Sequence, residues 1–212
     1  MGYREEERVE YSGKSKRRSM IIGITGNIGS GKSTFAKIFA ATMDWKYIDM
    51  DVFAKVKCFE YRKDIEKICR GFGFNSSETN YLEFLKYNYF KTEGLKTRID
   101  EFIKPKLVLE TFQHTILESA LLFEEGFDSI CDLIVVVTVD TPTRFSRLEG
   151  LRGMRNSVIR SRLGMQIPDK DYIDKATFVV DNNGTEYDLL NRAEEIRNEI
   201  YTKYSEEYGN GH

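Results

Sequence analysis

Ile21-Ile22-Gly23-Ile24-Thr25-Gly26-Asn27-Ile28-Gly29-Ser30-Gly31-Lys32-Ser33-Thr34 is the stretch that decides the fold. The run Met20–Thr25 is short and apolar, as a buried strand would be. A glycine-rich turn follows. Beyond it Phe35, Ile38 and Phe39 recur at helical spacing. Across this strand, turn and helix runs the pattern Gly-x-x-x-x-Gly-Lys-Ser, at Gly26–Ser33. Glycines let successive backbone N–H groups turn inward around a phosphate, where side chains would intrude. The helix that opens there adds its dipole and its free N–H groups. Gly26, Asn27, Gly29, Ser30, Gly31, Lys32, Ser33 and Thr34 are therefore the expected nucleotide contacts. Lys32 is expected to reach the β- and γ-phosphates, and the Ser33 hydroxyl to ligate Mg²⁺.

Outward from this stretch, Trp45–Ile48 reads as a second strand, closed by Asp49-Met50-Asp51. Val52–Cys69 reads as mostly helical, and Gly71–Thr79 as a polar break. Tyr81–Leu109 reads as two helices. The aromatic stripe of the first (Tyr81, Phe84, Tyr89, Phe90) is expected in a core, and Pro105 should kink or restart the second. His114–Ala120 is a further strand. Leu133–Val139 is a β-branched run suited to a central parallel strand covered on both faces. Thr141–Leu148 starts a helix, Thr177–Val180 is a last strand, and Tyr187–Tyr201 is a final amphipathic helix. Strands alternating with helices predict an α/β fold, a parallel sheet with helices on both faces.

Composition narrows the function. The chain has 212 residues, 41% of them hydrophobic, which suits a single domain. With 32 Lys plus Arg against 34 Asp plus Glu, the net charge of −2 disfavours a nucleic-acid coat. Cys58, Cys69 and Cys131 form no CxxC pair and are read as reduced thiols of a cytoplasmic protein. No apolar run reaches membrane-spanning length, and residues 1–19 lack the apolar core of a secretory signal. That segment, with Lys14, Lys16, Arg17 and Arg18, is expected to be a disordered charged tail ahead of one domain at 20–206. The base-reading NKxD of a GTPase is missing, as is the LSGGQ of transporter ATPases, which leaves a small-molecule kinase.

A kinase must also hold and activate an acceptor, at the carboxyl ends of strands in such a sheet. Asp49 and Asp51 stand there; either could take or orient an acceptor hydroxyl's proton, and either could instead cap the next helix. Arg144, Arg147, Arg152, Arg155, Arg160 and Arg162 form a series that could clamp a transferring phosphoryl group from a mobile lid, or line a solvated helix.

In this order the motifs resemble the dephospho-coenzyme A kinase family. GITGNIGSGKST resembles its GLTGGIGSGKST, and Tyr47-Ile48-Asp49-Met50-Asp51 its VIDAD. Ala120-Leu121-Leu122-Phe123-Glu124 resembles PLLFE, Arg162-Leu163-Gly164-Met165-Gln166 resembles RIAAQ, and Val180-Asp181-Asn182-Asn183-Gly184 resembles IDNNG. The likeness runs from about Ile21 to Ile200. It implies ATP and Mg²⁺ as cosubstrates, dephospho-CoA as acceptor, and no nucleic-acid or membrane partner, in a monomer or weak homo-oligomer. It implies a P-loop kinase fold with five parallel strands, a helical acceptor-binding region (about 52–113) and a lid (about 144–166), around a core of about 20–51, 114–140 and 177–206. By the same resemblance Asp51 is the catalytic aspartate. Lys32 and Arg152 join it in catalysis, and Arg147, Asn182 and Asn183 bind nucleotide. Lys104, Glu124 and Arg162 meet the acceptor. The chain departs from the family where a His-Pro pair becomes Lys104-Pro105, and where an Asn-Arg pair becomes Tyr81-Leu82. Its RDG is nearest matched by Arg152-Gly153. A kinase for another acceptor, such as a nucleoside monophosphate, and a non-catalytic nucleotide-binding regulator are the two alternatives.

Overall fold

The structure is a computed structural model and describes residues 19–75, 80–89, 91–110, 113–150, 153–164 and 166–208. The charged tail up to residue 18, Phe90, Arg152 and Met165 lie outside them. Strand β1 (Ile21–Thr25) leads into helix α1 (Lys32–Met43), then β2 (Lys46–Asp49) and α2 (Met50–Glu60). Helices α3 (Arg62–Arg70), α4 (Tyr81–Asn88) and α5 (Leu95–Glu110) follow, then β3 (Thr115–Glu118) and β4 (Leu133–Thr138). The chain closes with α6 (Thr141–Gly150), α7 (Asn156–Gly164), α8 (Asp169–Ile173), β5 (Phe178–Asp181) and α9 (Glu186–Tyr208).

The strands form one sheet in the order β2-β3-β1-β4-β5, and each pairing is parallel. This is the expected architecture, with β1 in the middle. All five residues of β1 are buried because both sheet faces are covered. Ile22 and Ile24 face a cluster with Phe35 and Phe39 of α1 and Ala193 and Ile196 of α9. Ile21 faces the opposite cluster, with Leu107, Leu117, Leu122 and Phe127.

Gly23 shares β1, and a Cβ there would lie 2.8 Å from Cys131 Sγ and 2.9 Å from Leu122 Cδ2. Side chain is excluded by close approach rather than by backbone angle. Gly23→Val should lower folding stability by roughly 1–3 kcal/mol, the usual cost of overfilling a core. A shift in the urea midpoint measures it.

A third cluster belongs to α3, α4 and α5: Ile65, Cys69, Tyr81, Leu85, Leu95, Ile99 and Ile103. Tyr81 is buried in it and Phe84 and Tyr89 pack against it, so these members of the aromatic stripe pack as core, and Tyr89 also lines a cavity. Phe53 of α2 touches both this cluster and the one beneath the sheet.

Pro105 does not restart its helix, one of the two outcomes the sequence reading allowed: α5 runs from Leu95 to Glu110 with Pro105 inside it. A proline removes one N–H from the helical ladder and crowds the preceding turn. Next to it, Lys106 Nζ curls back and donates to the Phe102 carbonyl at 3.0 Å. Cys58, Cys69 and Cys131 are all free thiols. No helix among the described residues is long and apolar enough to cross a membrane.

Candidate active site

The carboxyl edge of the sheet gathers the site. Past β1 the chain turns through Gly26 (φ 149°) and Gly31 (φ 85°), backbone angles that favour glycine. A Cβ on Gly31 would sit 2.0 Å from Asn182 Nδ2, so the position is closed sterically as well. Gly31 is also the N-cap of α1 and offers no side-chain acceptor. The first-turn N–H groups of α1 are therefore not covered by a side-chain cap, and they suit a phosphate. Asn182 Nδ2 donates to Ser30 O at 2.7 Å, and Arg147 Nη2 donates to Asn182 O at 2.9 Å. Arg147 Nη1 is buried without a partner among the described residues. Gly29, Gly31, Thr34, Arg147, Asn182 and Gly184 help to line a cavity of about 250 Å³ beside the loop.

Asn183 is turned elsewhere. Its Nδ2 donates to Asp181, and its Oδ1 accepts the Asp140 N–H at 3.0 Å, joining the ends of β5 and β4. Asn27 also points away from the cavity, with its side-chain amide on Ile167 O at 2.9 Å.

Sequence reasoning missed Glu118. Parallel register sets it beside Ile24 of β1 and Asp49 of β2. It is 5% exposed. The Ser33 hydroxyl donates to Glu118 Oε1 at 3.2 Å, the Tyr47 hydroxyl donates to Oε2 at 3.2 Å, and Lys32 Nζ stands 3.8 Å away. Burial pushes the Glu118 carboxyl above its usual range, while Lys32 draws it back only in part. Burial, and then the charge of Glu118, pushes the Tyr47 phenol upward too. The available signal was an acid closing the apolar run Thr115-Ile116-Leu117, the same place in β3 that Asp49 holds in β2.

An acid whose folded pKa is raised favours folding below its unfolded value of about 4.5, and that contribution is lost as pH rises through the folded value. Glu118→Gln should remove this slope. The stability of the variant relative to the parent should therefore increase from pH 4 to pH 7, as read from urea midpoints across that range. A constant difference would mean that Glu118 does not carry the slope.

Ser33 Oγ and Glu118 are hard oxygen donors, and such a pair fits Mg²⁺. Among the described residues, no group of three or more His, Cys, Asp or Glu is placed to hold a metal alone. A cation here would draw its other oxygens from phosphate and water.

The two aspartates at the end of β2 separate. Asp49 closes the strand and caps α2, its Oδ1 accepting the Val52 N–H at 3.1 Å. Asp51 is in the first turn of α2, not on the strand, and is exposed. It lines a second cavity of about 400 Å³ with Lys55, Leu85, Tyr89, Glu125 and Phe127, among others. Burial raises the Glu125 carboxyl above its ordinary range. The Tyr89 hydroxyl and the Lys96 ammonium both bind Asp100 at the wall of this cavity.

A sequence model of dephospho-CoA kinases matches residues 20–188. The chain belongs to the dephospho-CoA kinase family. A dephospho-CoA kinase of Corynebacterium glutamicum is 30% identical over 86% of this chain and 98% of its own length. TT1252 from Thermus thermophilus superposes with a TM-score of 0.69 at 23% identity, covering 86% of this chain and 98% of that one. A dephospho-CoA kinase from Campylobacter jejuni gives 0.58 at 22% identity, covering 86% and 97%. At those identities the two structures speak for the fold.

Within this dephospho-CoA kinase family member, the residues taken from the acceptor motifs are dispersed. Lys104 is not among the residues lining the 400 Å³ cavity; its ammonium stands 5.4 Å from the centre of the Phe127 ring, which does line it. Glu124 accepts the Tyr172 hydroxyl at 2.6 Å. Arg162 is exposed on α7. Arg152 falls outside the described residues.

Proposed function

We propose that this chain transfers the γ-phosphate of ATP to the ribose 3′-hydroxyl of dephospho-CoA, the last step of coenzyme A biosynthesis. One observation carries the reading. The phosphate loop and Asp51 follow β1 and β2, Glu118 ends β3 between those strands, and the loop and Asp51 each open on a cavity. In this reading the loop amides and the α1 N-terminus bind the β-phosphate, and Lys32 spans the β- and γ-phosphates. Arg147 and Asn182 flank the nucleotide. Asp51 receives or orients the acceptor hydroxyl's proton from the other cavity. Phosphoryl transfer asks the protein mainly for placement and charge stabilisation, which these groups supply.

Ser33 and Glu118 would hold Mg²⁺, which when bound neutralises charge on the phosphate oxygens. The helices α3–α5 would form the acceptor-binding region and α6–α7 the lid, with Arg152 and Arg162 as its further cations. Lys104 and Glu124 would act from just outside the acceptor cavity. Asn183 would shape the nucleotide edge through Asp181. The protein would work in the cytoplasm as a monomer or weak homo-oligomer, without nucleic acid or membrane.

A coupled ADP-release assay with ATP, Mg²⁺ and dephospho-CoA tests the reading, with AMP and dCMP as comparison acceptors. Release that depends on dephospho-CoA and yields CoA is the expected result. Release with another acceptor alone, or with none of them in protein that binds ATP, would overturn it.

A further inference from the structure

Asn27, at a free position of the phosphate-loop pattern, is only 3% exposed. Its Nδ2 donates to Ile167 O at 2.9 Å and to Asp169 Oδ1 at 2.6 Å. The second Asp169 oxygen pairs with Arg144 Nη2 at 2.6 Å, and that nitrogen also donates to Val139 O at 3.1 Å, just past β4. The next loop residue is held from the same side, since Gln166 Oε1 accepts the Ile28 N–H at 3.1 Å. Gly29 rests on α6: a Cβ there would meet Arg144 Cγ at 3.0 Å and Leu148 Cγ at 3.1 Å.

These contacts close a circuit. From Asn27 it runs through Asp169 to Arg144, and then along one turn of α6 to Arg147. Arg147 binds Asn182 O, Asn182 Nδ2 binds Ser30 O, and the Ser30 N–H returns to Asn27 O at 3.1 Å. The ring encloses the turn of the phosphate loop and contains Arg147, which lines the nucleotide cavity. Three of its links, Asn27 to Asp169, Arg144 to Asp169 and Arg147 to Asn182 O, are charge-assisted and partly buried, so they are the stiff ones.

We propose that Asn27 and Asp169 are positioning residues that couple the shape of the phosphate loop to the placement of Arg147. The inference rests on the kinase reading for its purpose, but its test does not depend on the acceptor. Asn27 does not touch the reacting atoms; it acts through the ring. Residue 27 has an ordinary negative φ, so alanine fits its backbone.

Equilibrium binding of ADP is measured by calorimetry for the parent, Asn27→Ala, Asp169→Asn, Arg147→Ala and the pairwise doubles, each shown to be folded by circular dichroism. Each single change in the brace should weaken ADP about fivefold to tenfold, a coupling of ordinary size for contacting groups. Asn27→Ala combined with Asp169→Asn should be no worse than either alone, because a ring opens only once. Asn27→Ala should add little in the Arg147→Ala background. Multiplied losses in the doubles, or unaltered ADP affinity in folded Asn27→Ala, would overturn the proposal. If Asn27→Ala does not fold, Asn27→Gly with Asp169→Asn gives the same cycle. A parent that fails to bind ADP would count against the kinase reading, whereas a parent that binds with additive variants counts against the ring alone.

Discussion

Asparagine in place of Asp51 should lower turnover at least about a hundredfold, the usual contribution of a positioned general base or hydroxyl-orienting group. ATP affinity should stay near that of the parent. The reason is spatial. Asp51 lines the 400 Å³ cavity, whereas the cavity proposed for the nucleotide is lined by Gly29, Gly31, Arg147 and Asn182, among others. The substitution removes a proton acceptor and keeps the shape, so folding should not change either. Asp49→Asn is the informative control. Asp49 caps α2 through Val52, and asparagine is also a good N-cap. Its loss of turnover should be far smaller. Near-parental turnover in Asp51→Asn would remove Asp51 from the mechanism, and the larger effect in Asp49→Asn would exchange their roles.

The second large effect is expected at Lys32. Lys32→Met should lower kcat about 10²–10³-fold, the range seen when one preorganised donor to developing charge is removed. The same change also withdraws the cation 3.8 Å from buried Glu118. Its carboxyl should then be pushed further up, because desolvation already dominates there. Two consequences separate the roles. Stability at neutral pH should fall in Lys32→Met and recover in Lys32→Met/Glu118→Gln, since the double variant has no buried charge to compensate. Turnover should not recover, because the phosphate has lost its ammonium. Steady-state kinetics and urea unfolding on the same preparations check both. Joint recovery of kcat and stability would mean that Lys32 acts only as a counter-ion to Glu118.

The sheet could be read from the sequence because each strand announces itself locally. Ile21–Thr25 and Leu133–Thr138 are apolar runs that need cover on two faces, and the glycine pattern fixes what lies between β1 and α1. The site was less legible wherever register or helix phase decides. Nothing in Thr115-Ile116-Leu117-Glu118 says that the acid will face Lys32; that requires β3 to lie between β2 and β1. Asp49 and Asp51 are alike in sequence, and their difference depends on helix α2 beginning at Met50. Pro105 was expected to kink or restart α5 because it lacks the N–H that would reach Glu101, yet the helix runs on to Glu110. Asn27 occupies a variable place in the motif, and its partners at 167 and 169 are about 140 residues away in the chain.

The apolar cluster of α3, α4 and α5 meets the one beneath the sheet at two places, through Phe53 and along α5, whose Leu107 belongs to the sheet cluster. Substitutions around Leu85, Ile99 or Ile103 therefore perturb packing that the phosphate loop does not share. With the acceptor held by α3–α5, as proposed, a lineage could alter what it phosphorylates while its nucleotide machinery stays intact, because the two rest on largely different contacts. The same partition gives hydrogen exchange an expected order: amides of α3–α5 should open together and ahead of those in β1 and β4.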